Sequence, residues 1–285
     1  MLIRPWYEEW RTEIENYLLE RIDTSMFILN NLENYGPYLN EHPNSGNIKV
    51  IYSPDGVLGV FCLTRRGNIL ANIRSDILDG YLVDAILDEL VSEPVSIKGI
   101  LGNWDAVSSI ANAKVYSGIW SKIGYISKEP SYSLDRLSND LETGDGIRLL
   151  NENDYHEWRN LRIAYLQETG LSQDLSESDF KEIYQTQAQA QMHWGLFEDN
   201  TLISITNMNS RYKNIGQVGG VYTIPEFRSR GLAKKVVRHQ LADMKRVHGL
   251  DRAILFTGED NIPAQKVYQR LGFTPQGIFG IVFSA

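Results

Sequence analysis

Near the start of the chain, apolar residues recur at spacings of three and four: Trp6, Trp10, Ile14, Tyr17 and Leu18, with charges on the other face. That period predicts helix over residues 1–31. An Asn-, Pro- and Gly-rich stretch from Asn31 to Gly46 reads as a loop. The pattern then changes to short apolar runs bounded by turn residues. They predict strands at Ile48–Ser53, Val57–Thr64 and Asn68–Ile73, joined through Ser53-Pro54-Asp55-Gly56 and Arg65-Arg66-Gly67. A helix is expected at Asp76–Leu90, a strand at Val95–Leu101 and a helix near Asp105–Ala113.

The second half restarts with a strand at Ile147–Leu150. Asp154 is placed to N-cap a helix whose apolar face includes Trp158, Leu161, Ile163 and Tyr165. A helix over Glu177–Gln191 follows, then strands at His193–Glu198, Thr201–Met208 and Gly216–Thr223. A helix at Leu232–Val247, a strand at Ala253–Thr257, a helix from Asn261 to Leu271 and a last strand pair complete the order. Gly272 stands just past that helix, where a left-handed cap belongs. The fold class is α+β, built on a mixed sheet.

Patterning weakens from Lys128 to Asp145, where Ser, Asp, Glu and Gly dilute the apolar residues. The domain boundary is expected near residue 140, giving domains 1–140 and 141–285, although Tyr132–Leu137 reads as a further strand of the first. The halves repeat weakly. Tyr52-Ser53-Pro54-Asp55-Gly56-Val57-Leu58 parallels Phe197-Glu198-Asp199-Asn200-Thr201-Leu202, each a strand, an acidic turn and a strand.

Composition narrows the function. An apolar share of 42 % in 285 residues is enough for two cores. A net charge of −8 disfavours a nucleic-acid partner, which needs a basic footprint, but leaves room for a local anion site. The one cysteine, Cys62, lies in the apolar run Val57–Leu63; it excludes an intramolecular disulfide and a Cys-rich metal site. His42, His156 and His248 lack metal-ligand spacing, so no metal is expected. No apolar run is long enough for a membrane span, and Arg4, Glu8 and Glu9 interrupt the place of a signal peptide. The expectation is a cytoplasmic, soluble protein with no membrane partner.

The candidate chemistry begins at Val221-Tyr222-Thr223-Ile224-Pro225-Glu226-Phe227-Arg228-Ser229-Arg230-Gly231-Leu232-Ala233-Lys234. A strand ends, a short turn carries two arginines, and Gly231 opens a helix. Such a turn aims backbone N–H groups, here of Ser229 to Leu232, at one place with the positive helix end behind them. A pyrophosphate fits there. Gly231 permits close approach, Ala233 stays small, and Arg228, Arg230 and Lys234 supply counter-charge.

A second segment, Gly258-Glu259-Asp260-Asn261-Ile262-Pro263-Ala264-Gln265-Lys266-Val267-Tyr268-Gln269-Arg270-Leu271-Gly272-Phe273, follows a strand and forms a capped helix with Pro263 in its first turn. In this order, the two segments resemble the GNAT superfamily of acyl-CoA-dependent N-acyltransferases. The matching positions are Arg228, Gly231 and Ala233, then Asn261, Ala264, Tyr268, Leu271, Gly272 and Phe273. Ala233 stands where Gly is commoner. The resemblance covers about residues 147–285, and the first half resembles a degenerate copy, as in tandem two-domain members. Gly67-Asn68-Ile69-Leu70-Ala71 has no arginine and opens no helix, so one cofactor site is expected, in the second half.

The resemblance implies acetyl-CoA as acyl donor, its pyrophosphate on residues 228–234, Asn261 near pantetheine and Tyr268 near the thioester sulfur. It also implies that the strand through Val221, Tyr222 and Thr223 splays from its neighbour and bonds pantetheine with its backbone. A thiolate leaving near pKa ~8.5 gains from a phenol near ~10 as proton donor, the role assigned to Tyr268. The attacking amine, near ~10, needs a base or water relay. Glu168, Glu226, His193 and His239 are its candidates, with Glu168 also placed to line the acceptor pocket. The function implied is N-acetyl transfer to a small-molecule or peptide amine. The alternative is a non-catalytic acyl-CoA-binding or interaction protein of the same fold.

Overall fold

A computed structural model of the chain describes residues 1–116, 118–138, 144–171 and 175–285. The first run of elements is β1 (Leu2–Pro5), α1 (Arg11–Leu19), α2 (Ile22–Tyr35), β2 (Lys49–Ser53), β3 (Gly56–Leu63), β4 (Asn68–Ile73), α3 (Gly80–Val91), β5 (Gly99–Asn103), α4 (Trp104–Tyr116) and β6 (Ile123–Leu134). The second is β7 (Ile147–Leu149), α5 (Tyr155–Thr169), α6 (Glu177–Gln189), β8 (His193–Glu198), β9 (Thr201–Tyr212), β10 (Ile215–Thr223), α7 (Leu232–Arg246), β11 (Arg252–Phe256), α8 (Ile262–Arg270) and β12 (Thr274–Ser284). Helices and strands follow in the same order in both runs. Strand senses repeat as well: three antiparallel pairings, β1/β2/β3/β4 and β7/β8/β9/β10, precede a parallel one, β4/β5 and β10/β11. The weak sequence repeat therefore has a topological counterpart.

Two compact units are present, and neither is continuous in sequence. The first gathers residues 1–132, 256–261 and 275–285; the second gathers 133–255 and 262–274. In the first unit, β12 pairs antiparallel with β5, from Phe279↔Asn103 to Phe283↔Gly99. The boundary expected near residue 140 falls within 139–143, outside the described residues.

The first unit's core forms where the near-continuous apolar run of β3 meets α3 and α4. Phe61, Leu63, Ile69, Ile73, Ile86, Ile100, Val107 and Ile110 are all buried there. Such a run suits a strand covered on both faces. Cys62 lies inside, and burial pushes its thiol up to about 12, so it is a packing residue. In the second unit, Trp158, Leu161, Phe180, Tyr184, Ile205 and Tyr222 form the core between α5, α6 and the sheet.

Several boundaries differ from expectation. The helix predicted over 1–31 is a short strand followed by two helices that break at Glu20–Arg21. The strand expected at Val95–Leu101 starts later, at Gly99, and β6 begins before the segment where patterning weakened. Asp154 does not cap α5. Asn151 caps the preceding turn, while the Asp154 carboxylate accepts from the Asn151 N–H at 2.8 Å and pairs with Arg148 at 2.6 Å.

Candidate functional site

The site is built in the second unit, where β10 runs past its partner. Parallel pairing with β11 covers Ile215↔Arg252 to Gln217↔Ile254, yet β10 continues to Thr223. From Val218 onward that edge of β10 carries no ladder partner among the described residues. The other edge stays paired to β9, with a bulge between Gly219 and Tyr222. Gly220 makes the bulge with φ +58, and a Cβ there would lie 1.9 Å from Asn207 Oδ1. Both facts require glycine. Buried Ser204 pins the strand end: its Oγ donates to the Tyr222 carbonyl at 2.9 Å and lies 2.8 Å from Thr223 Oγ1.

A turn then leads into α7. Ser229 and Gly231 both adopt positive φ, +62 and +76, which winds the chain back on itself. No side chain caps α7, and the Gly231 carbonyl takes the Lys235 N–H at 3.2 Å. The N–H groups of Leu232, Ala233 and Lys234 thus stand at a helix start without an intrahelical partner, as helix geometry dictates. Nothing approaches within 4 Å of the place a Gly231 Cβ would occupy. The result is an open cradle with a positive end.

The arginines of this turn are held. Arg228 Nε donates to the Thr223 carbonyl at 2.9 Å and Nη2 donates to Glu168 Oε2 at 2.6 Å, with the guanidinium 5.3 Å from the Tyr222 ring centre. The hydrogen bond to Glu168 raises the pKa of Arg228 further. Arg230 donates to Glu198 Oε1 at 2.9 Å. Lys234 makes no ion pair among the described residues. The geometry brings Tyr222, Thr223 and Glu168 together around Arg228.

Tyr268 is the buried residue of α8, 6 % exposed, with its ring edge-on to Phe273 at 6.1 Å. Asn261 is exposed ahead of α8, its N–H bonded to the Gly258 carbonyl at 2.9 Å. Among the base candidates, Glu226 is exposed and His239 lies 3.4 Å from Asp243. His193 is buried, stacked on Trp158 and bonded through Nε2 to Gln187. Burial, helped by the Arg162 charge, lowers its pKa to about 3. That imidazole is neutral at physiological pH. Three residues went unmarked in the sequence: Gly220, Ser204 and Arg162. Only Arg162 left a signal, a charge four positions after Trp158 on the apolar stripe of α5.

The first unit closes the equivalent places. Asp79 caps α3 with its own carboxylate, accepting from the Leu82 N–H at 2.8 Å. Asn103 bonds both backbone groups of Ile73 at 2.9 Å and so extends the β4/β5 pairing that ends at Ala71↔Gly102. A carboxylate stands where an anion would bind, and an amide bridges strands where β10 and β11 are open. Among the described residues, no cluster of three or more His, Cys, Asp or Glu is arranged for a metal, and no helix is long and apolar enough to cross a membrane.

Comparison with known proteins bears on this arrangement. No curated protein matches the sequence significantly. Among solved structures, a Drosophila protein is similar at TM-score 0.67 and 14 % identity, covering 99 % of this chain and 98 % of its own. A GCN5-related N-acetyltransferase from Sphaerobacter thermophilus is similar at TM-score 0.60 and 13 % identity, covering 99 % and 94 %. A GNAT-family acetyltransferase from Colwellia psychrerythraea is similar at TM-score 0.55 and 15 % identity, covering both chains fully. At such identities the likeness is one of fold. Residues 155–273 match the model of the acetyltransferase (GNAT) family. They span β8 to β11, the bulge, the α7 cradle and α8, so the likeness to that family lies in the second half of the chain.

Proposed function

We propose that the second unit transfers an acetyl group from acetyl-CoA to a primary amine of a small molecule or peptide by direct attack. The observation that carries this reading is the open β10 edge leading into an uncapped α7. Backbone N–H groups of residues 229–234 receive the pyrophosphate, with Arg228, Arg230 and Lys234 as counter-charge. The edge through Val221, Tyr222 and Thr223 bonds pantetheine, and one N–H there holds the thioester oxygen as it gains charge. Asn261 lies along the pantetheine, and Tyr268 protonates the departing thiolate. The capped α3 and bridged β4/β5 strands support one cofactor site per chain. A cytoplasmic setting, where acetyl-CoA is available, suits this chemistry.

The test is calorimetric titration of the full chain with acetyl-CoA, alongside Gly231→Asp. Binding by the wild type and its loss in a folded Gly231→Asp variant are expected, because the substitution puts bulk and negative charge into the cradle. Equal binding by the two would remove the site from α7.

A further inference from the structure

Arg162 differs from the arginines around it. On the same helix Arg159 pairs with Glu177 at 2.7 Å, and in the turn Arg228 and Arg230 each hold a glutamate. Arg162 is partly buried and has neither an ion pair nor a hydrogen bond among the described residues; its guanidinium lies over the Tyr165 ring at 5.0 Å. Burial lowers its pKa. A Cβ at Gly220 would lie 3.5 Å from Arg162 Nη1, so the guanidinium faces the bulge where β10 opens.

Arg162 also lines a cavity of about 30 Å³ with Trp158, Gln187, His193, Asn207 and Asn209. No Asp or Glu lines it. His193 Nδ1 is buried there without a partner, and Asn207 Nδ2 donates to Asn209 Oδ1 at 2.7 Å. A neutral imidazole and three amides supply no counter-charge to Arg162. The volume admits roughly two or three water-sized atoms, the size of one carboxylate. A planar, bidentate anion is what a guanidinium fork recognises best.

We infer that Arg162 and this cavity seat the carboxylate of the acyl acceptor, which makes the acceptor an amino acid with its amine a few bonds from the carboxylate. The inference rests on the proposed acetyl transfer: Gly220 adjoins Val221, so an amine attached close to a carboxylate on Arg162 reaches the edge assigned to the thioester.

The experiment measures acetyl-CoA-dependent thiol release with matched sets: alanine, leucine and phenylalanine, their amides and their decarboxylated amines, with phosphoethanolamine as the phosphate arm. The free acids should exceed the amides and amines by roughly 30-fold or more in kcat/KM, because a site built for a buried polar partner discriminates strongly against its absence. In Arg162→Gln that preference should fall to within about threefold, while acetyl-CoA affinity stays unchanged. Arg162→Lys should keep part of it and covers the case in which Arg162→Gln does not fold. Equal use of acids and amides by the wild type, a preference for phosphoethanolamine, or a preference that survives in Arg162→Gln would overturn the inference. A chain that fails to bind acetyl-CoA would defeat the proposed function instead. Calorimetry with the amino acids alone then decides Arg162: wild-type binding lost in Arg162→Gln supports the seat, and no wild-type binding refutes it.

Discussion

Glu168 Oε2 accepts a 2.6 Å hydrogen bond from Arg228, 60 residues away in sequence, and ties the end of α5 to the turn before α7. Both side chains are about half exposed, so the pair adds little to stability. Its weight lies in charge. A glutamate on Arg228 competes with any phosphate for the same guanidinium, while the Arg228 bond to the Thr223 carbonyl holds the arginine in place on its own.

Glu168→Gln should therefore tighten acetyl-CoA binding by roughly two- to tenfold, equal to about 0.4–1.4 kcal/mol, with little change in melting temperature. Calorimetry at low salt reads it, since the effect is screened as salt rises. If Glu168 is instead the base that deprotonates the amine, the same variant loses turnover by two orders of magnitude or so, along with the acidic limb of its pH profile.

Tyr268→Phe keeps the ring that packs against Phe273 and removes the phenolic proton. Turnover should fall by roughly 10²–10⁴-fold, in kcat as well as kcat/KM, with acetyl-CoA affinity and stability nearly unchanged. A core role without proton transfer would leave Tyr268→Phe active and make Tyr268→Ala unstable. Steady-state kinetics and thermal melts on both variants separate these outcomes.

His193 gives the second unit a pH-dependent stability. The folded imidazole stays neutral down to about pH 3, while the unfolded one takes a proton near 6.5. Its contribution is therefore fully present above 6.5 and is lost as the pH falls toward 3. Each pH unit below 6.5 should cost up to about 1.4 kcal/mol. Denaturant unfolding between pH 6.5 and 4.5, above the main carboxylate range, should show that slope in the wild type and a flatter one in His193→Gln. Parallel curves would mean that His193 takes up its proton in the folded state.

The turn before α7 and the helix α8 were legible because their signals are local: a strand end, a positive-φ glycine and a helix start lie within a few residues. Strand β6 was not. Its Ser131 and Ser133 are buried polar residues, and Ser131 Oγ donates to Asp23, 108 residues earlier, at 2.6 Å. Periodicity counts such serines as exposed, since their partners are invisible along the chain. Strand β1 spans four residues and ends at Pro5, too short for alternation to register. The Arg162 cavity was hidden for a related reason. It is lined from α5, α6, β8 and β9, and only an arginine on an apolar stripe hinted at it.

The seat of β12 beside β5 has a consequence for how the protein is made. Ser284 Oγ donates to the Lys98 carbonyl across 186 residues, within the first unit. A nascent chain emerges over many seconds, and upstream domains ordinarily fold first. Here the sheet that begins at β1 waits, with one edge of β5 exposed, until translation has passed the second unit entirely. During that interval the bare edge is open to a strand from a neighbouring nascent chain. Ribosome pace and chaperone cover at that edge thus bear on yield as much as the finished fold does.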